Sequence, residues 1–286
     1  MTLPAETRVS HLTLATGDLE RLAAFYTQTL GLTVHGQEAN RVHLGGPDGA
    51  AFLTLAGEEG ARAQPLFATG LYHFALLLPS RAVLGQMLEH LIKTGWSLSG
   101  ASDHGVSEAL YLNDPDGNGV ELTHDRPRAE WAWRGGLVGM TVDPLDLRGL
   151  LAEANGSVAQ WAIVPPGTRL GHIHLRVRDL DAAAAFYQDA LGFDATARYN
   201  GALFVSAGGY HHHFGLNTWE SRGAPPLPSD AQGLRDVTVL LPDSAGVEAL
   251  AGRLRNGNWK FTREQGALTV RDPSQNVLRI ASAEGE

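Results

Sequence analysis

His11-Leu-Thr-Leu-Ala-Thr-Gly-Asp18-Leu-Glu, followed by Ala24-Phe25-Tyr26 and Leu30-Gly31-Leu32, returns later in the chain as His172-Ile-His-Leu-Arg-Val-Arg-Asp179-Leu-Asp, Ala185-Phe186-Tyr187 and Leu191-Gly192-Phe193, each matched residue 161 positions on. A second pair, Gly70-Leu-Tyr-His73-Phe-Ala-Leu-Leu-Leu-Pro79 and Gly233-Leu-Arg-Asp236-Val-Thr-Val-Leu-Leu-Pro242, is offset by 163, and each member is followed downstream by Asp-Pro, at 114–115 and at 272–273. A fixed offset sustained over such stretches marks repeated supersecondary units. Each half of the chain therefore holds two units, and the halves repeat each other.

The units share one pattern. His11 to Leu14 alternates as a strand does, Asp18 is placed to cap a helix, Leu19, Leu22, Ala23, Tyr26 and Leu30 recur at helical spacing, and Gly31 ends the helix. Short alternating runs at 41–45 and 51–55 follow, separated by a Gly-Pro-Asp-Gly turn. In the second unit a strand over 72–78 leads to a helix over 80–94 and then to a hairpin whose turn is Asp114-Pro-Asp-Gly-Asn-Gly119. The expected fold class is α+β, with four βαβββ units forming two half-barrel domains of paired units. Such a unit leaves one face of a curved sheet bare, and pairing encloses a cavity. The boundaries expected are 8–125 for the N-terminal domain, 126–168 for a connector with a helical stretch from Leu145 to Glu153, and 169–284 for the C-terminal domain.

The chain has 286 residues, enough for about two domains. With 43% apolar and 19% charged residues it reads as globular. Lys and Arg number 22 against 31 Asp and Glu, a net charge of −9 with no basic run, which argues against a nucleic-acid partner. There is no cysteine, so a transition metal would have to be held by His with Asp or Glu. No stretch approaches the ~18–20 apolar residues of a membrane span, and no basic flank precedes an apolar run at the N-terminus, so a cytoplasmic protein is expected.

Twelve histidines occur, and their places carry the chemistry. His11 and His73 each lie on the first strand of a unit, and Glu121 lies on the last strand of the second. In a paired-unit cavity these strands line the floor, so the three side chains could converge on one ion. Two imidazoles and a carboxylate on one face of a metal suit non-haem Fe(II), with positions left open. The alternative for any one strand histidine is a structural role, and it is the coincidence of three slots that favours ligation.

The four-unit layout with His11, His73 and Glu121 in those slots resembles the vicinal oxygen chelate superfamily, which includes glyoxalases, bleomycin-resistance proteins and extradiol dioxygenases. The stretch Asp103-His-Gly-Val-Ser107, Tyr111 and Asp114-Pro-Asp-Gly-Asn-Gly-Val-Glu121 is similar to ring-cleaving enzymes of the catechol 2,3-dioxygenase type. The resemblance implies a metal-dependent extradiol dioxygenase acting on a small aromatic diol with dioxygen. It implies Fe(II), with Mn(II), Zn(II) or Ni(II) as other occupants, and His104 as an acid/base and Tyr111 as a hydrogen-bond donor beside the metal. For His104 the competing reading is an exposed loop histidine, and for Tyr111 a packed strand aromatic. A glyoxalase-like lyase or a metal-free drug-binding protein are the alternative functions; a lyase would typically show a fourth ligand on the last strand of the first unit, where Ala51-Phe-Leu-Thr-Leu55 has no acid. The sequence leaves a homo-oligomer open.

Related two-domain enzymes carry the metal in the C-terminal pair, where this chain has His172, Asp236 and Arg279 in the ligand slots. A guanidinium repels a divalent ion, and an enclosed Asp236–Arg279 pair is expected there instead. His172, His174, His211, His212 and His213 form a second cluster, with a metal site, a substrate wall and a hydrogen-bonded structural core as its three readings. His35, His43, His90 and His124 read as surface or structural residues.

Overall fold

The structure is a computed structural model that describes residues 2–154 and 161–284. The first repeat runs through strand β1 (Arg8–Thr16), helix α1 (Leu19–Ala24) and strands β2 (Thr33–Glu38), β3 (Arg41–Gly45) and β4 (Leu53–Gly57). The second comprises β5 (Gly70–Leu77), α2 (Arg81–Thr94), β6 (Gly100–Asp103), β7 (Ser107–Asn113) and β8 (Gly119–Asp125). The connector holds a short hairpin, β9 (Trp133–Arg134) and β10 (Leu137–Val138), and helix α3 (Leu147–Glu153), close to the expected helical stretch; its residues 155–160 lie outside those described. The third repeat is β11 (Arg169–Arg176), α4 (Leu180–Ala184), β12 (Asp194–Tyr199), β13 (Ala202–Ser206) and β14 (Phe214–Asn217). The fourth is β15 (Gly233–Leu241), α5 (Ser244–Asn256), β16 (Phe261–Glu264), β17 (Ala267–Arg271) and β18 (Val277–Ser282).

The expected fold class is observed: the repeats build two eight-stranded sheets, ordered β16-β17-β18-β15-β1-β4-β3-β2 and β12-β13-β14-β11-β5-β8-β7-β6. The first repeat shares a sheet with the fourth and the second with the third, and β1 runs antiparallel to β15, with His11 opposite Thr238 and Thr13 opposite Asp236. The chain divides into two compact units. One takes Met1–Ala15, Gly60–Tyr72 and His172–Glu286, the other Thr16–Glu59 and His73–Gly171. A repeat's first strand has a bare edge that any other first strand can satisfy, and its side-chain pattern does not name the partner.

Within the first unit, α5 lies on β15, β17 and β18, and the inward residues Leu12, Leu14, Val237, Val239, Leu278 and Ile280 are buried. Within the second, α2 covers β8 and packs on α3, burying Leu84, Met87, Leu88 and Leu91. Each such side chain contributes about 1.5–3 kcal/mol of transfer free energy. The helix starts are set by side-chain caps: Asp18 accepts from the Arg21 amide at 3.0 Å and Asp179 from the Ala182 amide at 2.7 Å.

The helices do not stop at Ala24 and Ala184. Each continues as one wide π turn, Phe25–Thr29 and Ala185–Ala190, in which the Leu30 amide bonds back to the Phe25 carbonyl. Tyr26 and Tyr187, both fully buried, reach from these turns to the Asp-Pro hairpins of other repeats: Tyr26 donates to Asp114 at 2.8 Å, and Tyr187 to Asp272 at 3.2 Å. The Asp-Pro hairpin beside Tyr26 leads directly into β8 and Glu121.

Candidate metal centre

Strands β5 and β8 are parallel, with His73 opposite Gly119 and Ala75 opposite Glu121. Side chains two apart on a strand share a face, so His73 and Glu121 are diagonal neighbours on one face. The Glu121 carboxylate lies 3.0 Å from His73 Nε2, and both residues are buried, at 2% and 7% exposure. Tyr111 of β7 stands directly opposite Glu121, its ring centroid 5.6 Å from that of His73. Behind Tyr111, its hydroxyl is 2.6 Å from His104 Nε2, while His104 Nδ1 is 2.7 Å from the Thr141 carbonyl oxygen. A carbonyl only accepts, so Nδ1 carries the proton, and in the neutral imidazole Nε2 accepts from the phenol. Four of the residues singled out in the sequence, His73, His104, Tyr111 and Glu121, therefore form one connected group.

His11, the third ligand expected from the sequence, lies half-buried on β1, in the sheet of β15 and β18. His172 holds the equivalent place on β11, in a stretch that keeps the His, Leu, Asp and Leu of the one that begins at His11. A buried imidazole and a carboxylate turned toward one another, as His73 and Glu121 are, belong to the donor set a divalent transition metal takes.

The same register locates the place equivalent to Glu121 in the third repeat. In the second repeat, Glu121 sits opposite the residue two beyond His73; in the third, the residue two beyond His172 is His174, and it sits opposite Gly215. A Cβ at Gly215 would come within 2.8 Å of the His174 ring. The third repeat therefore has no acid at the place equivalent to Glu121, and an imidazole packs over that place. His174 is boxed by Tyr72, Phe204 and Trp219, with ring centroids 5.1–5.5 Å away.

The second histidine cluster separates into parts. His172, His211 and His212 also bring potential ligand atoms within 4.8 Å, and the His172 and His212 ring centroids are 4.0 Å apart. Nδ1 of His211 is 2.8 Å from Nδ1 of His212, so one ring donates to the other. His213 accepts the Ala207 amide at 3.2 Å, and burial, with His211 and His172 nearby, lowers its pKa to about 4.

In the fourth repeat, the residue two beyond Asp236 is Thr238, opposite Arg279, so Arg279 does hold the slot of Glu121. The cavity expected there does not enclose these side chains: Arg279 is exposed and Asp236 half-buried. His35, His43, His90 and His124 bond to Gly46, Thr54, Thr29 and Leu78, the structural roles expected of them.

Eight-stranded sheets built from βαβββ repeats, one of them bearing a buried histidine–glutamate pair, define the class of fold. Residues 8–122 and 169–280 match the family model of the Glyoxalase/Bleomycin resistance protein/Dioxygenase superfamily, and the chain belongs to that superfamily. It is 43% identical over 272 residues to a catechol-2,3-dioxygenase of Bacillus subtilis (strain 168), covering 94% of both chains. Among solved structures, a candidate dioxygenase from Bacillus subtilis subsp. subtilis str. 168 superposes with a TM-score of 0.72 at 15% identity, over 99% of this chain and 87% of the other. Glyoxalase I from Zea mays gives 0.57 at 15% identity, over 97% and 92%, a likeness of fold.

Proposed function

We propose that the chain is a metal-dependent extradiol dioxygenase of the catechol 2,3-dioxygenase type, with His73 and Glu121 among the residues that would hold Fe(II). The observation that carries the assignment of ligands is the 3.0 Å approach of these two buried side chains. The full-length likeness to a catechol-2,3-dioxygenase supports the reaction. When bound, the ion supplies a Lewis acid for two neighbouring ring oxygens and a redox partner for dioxygen.

The protein's own part begins with what it leaves open. Neither Gly215 nor residues 51–55 offers a carboxylate as a further ligand, which would leave room at the ion for both oxygens of a diol. This also disfavours a four-ligand lyase. Tyr111, beside both His73 and Glu121, faces the substrate place and can hydrogen-bond a ring oxygen. His104 accepts from the phenol at Nε2 and can take the proton that Tyr111 passes on when the diol is deprotonated. The burial of His73 and Glu121 excludes bulk water, which strengthens these interactions. A neutral catechol meets no barrier from the chain's negative charge.

The test is the metal content of His73→Ala, Glu121→Ala, His172→Ala and His11→Ala after anaerobic Fe(II) loading, followed by oxygen uptake with a panel of catechols. His73→Ala and Glu121→Ala should lose metal and activity together, and the comparison of His11→Ala with His172→Ala identifies the first-strand histidine that completes the site. Metal retained in both His73→Ala and Glu121→Ala would overturn the ligand assignment. Loaded protein that consumes no oxygen with any catechol would overturn the reaction.

A further inference from the structure

Beyond β8 the chain turns back across the β6–β7 turn, the one that carries His104. The Thr141 amide donates to the His104 carbonyl at 2.9 Å, and the Thr141 carbonyl receives His104 Nδ1 at 2.7 Å. Two residues on, Asp143 and Asp103 exchange backbone bonds of 2.9 and 3.0 Å, a single antiparallel bridge on the edge of β6. The turn is also tied from below. Gly105, at φ +72°, donates its amide to the Asp103 carboxylate at 2.8 Å, and Arg126 reaches that carboxylate at 2.6 Å and the buried Glu108 at 3.1 Å. Glu108 in turn accepts Arg81 of α2, which also binds Glu153 at the end of α3. Helix α3 rests on α2 where Gly85 has no Cβ, since one there would come within 2.3 Å of the Leu150 carbonyl oxygen. The connector is thus held at both its strand-like and its helical ends.

We infer that the connector segment at Thr141–Asp143 is a positioning element for His104: it fixes the imidazole as the Nδ1–H tautomer, so that Nε2 is the acceptor facing Tyr111. In the other tautomer the Nδ1 lone pair would face the Thr141 carbonyl oxygen and Nε2–H would compete with the phenol proton. The backbone bridge at Asp103 and the bond to the His104 carbonyl keep the ring from turning away. Covering the edge of β6 would need only the bridge at Asp143. The two bonds to His104, one of them to its ring, serve the histidine. The catalytic consequence rests on the extradiol reading; the tautomer does not.

The experiment is long-range nitrogen–proton NMR on the full chain with labelled histidine, loaded with diamagnetic Zn(II). His104 should show a protonated Nδ1 and an acceptor Nε2. Thr141→Pro, which lacks the donated amide, should lose this single pattern. With Fe(II) the same variant should keep its metal and its KM for a catechol while kcat falls at least tenfold. Adding Tyr111→Phe to it should cost far less than in the unaltered chain, because the relay is already broken. Should Thr141→Pro fail to fold, Arg126→Met, which frees the turn from Asp103, should give the same loss of tautomer. An Nε2–H tautomer in the unaltered chain, or variants that keep the Nδ1–H pattern, would overturn the inference. The expected tautomer in a chain that consumes no oxygen would sink only the extradiol reading.

Discussion

Replacing Tyr26 by Phe should destabilise the protein more at high pH than at low. Asp114 accepts four hydrogen bonds, from the Asp116 and Asn118 amides at 2.9 Å, Asn118 Nδ2 at 2.8 Å and Tyr26 at 2.8 Å. Even so, burial raises its pKa to about 6. A folded value about 2 units above the unfolded one corresponds to roughly 3 kcal/mol. Because the shift is upward, that stabilisation is complete below the unfolded pKa, near pH 4, and is lost as pH rises through about 6. Above that, Tyr26 supports a buried anion, a bond worth about 1.5–3 kcal/mol; below it the carboxyl is neutral and the same bond is worth about 0.5–1.5 kcal/mol. Urea unfolding of metal-free Tyr26→Phe and the unaltered protein at about pH 5 and about pH 8 reads both numbers. Tyr187→Phe is an internal comparison, since Asp272 is also raised to about 6 but its bond is longer, 3.2 Å, so its pH-dependent loss should be smaller. Equal losses for Tyr26→Phe at the two pH values would refute the coupling.

Arg279→Ala should change stability by no more than about 0.5 kcal/mol in thermal or urea unfolding, because the side chain is exposed; a loss of several kcal/mol would restore the enclosed ion pair. Gly85→Ala should cost more than about 2 kcal/mol, since its Cβ meets backbone and not a yielding side chain, and protease protection of α3 should fall with it. Gly215→Ala should be destabilising by about 1–3 kcal/mol through the His174 ring, with the metal retained.

The repeats were legible because each carries its own periodicity and punctuation: the cap at Asp18, the stop at Gly31 and the Asp-Pro turn. The π turns were not, since Phe25-Tyr26 and Phe186-Tyr187 fit an ordinary helical stripe equally well. In the site, His73, Glu121, Tyr111 and His104 were legible because all four come from one repeat, whose internal register follows from its turns. A third ligand was not: His11 and His172 occupy the same place in their repeats, and how the first strands of different repeats pair is a long-range choice written in no local pattern. The connector was silent for a related reason: it acts on His104 through backbone atoms, to which the identity of Thr141 gives no clue.

The packing at Gly215 also restricts how this scaffold can change its chemistry over generations. A carboxylate at the place equivalent to Glu121 needs a side chain at 215, but the first atom of any such side chain runs into the His174 ring 2.8 Å away. Clearing that ring first would open a hole in the aromatic box of Tyr72, Phe204 and Trp219. Neither single step is neutral, so a descendant with an acid there would have to acquire both changes almost together, and Gly215 is kept by its neighbours.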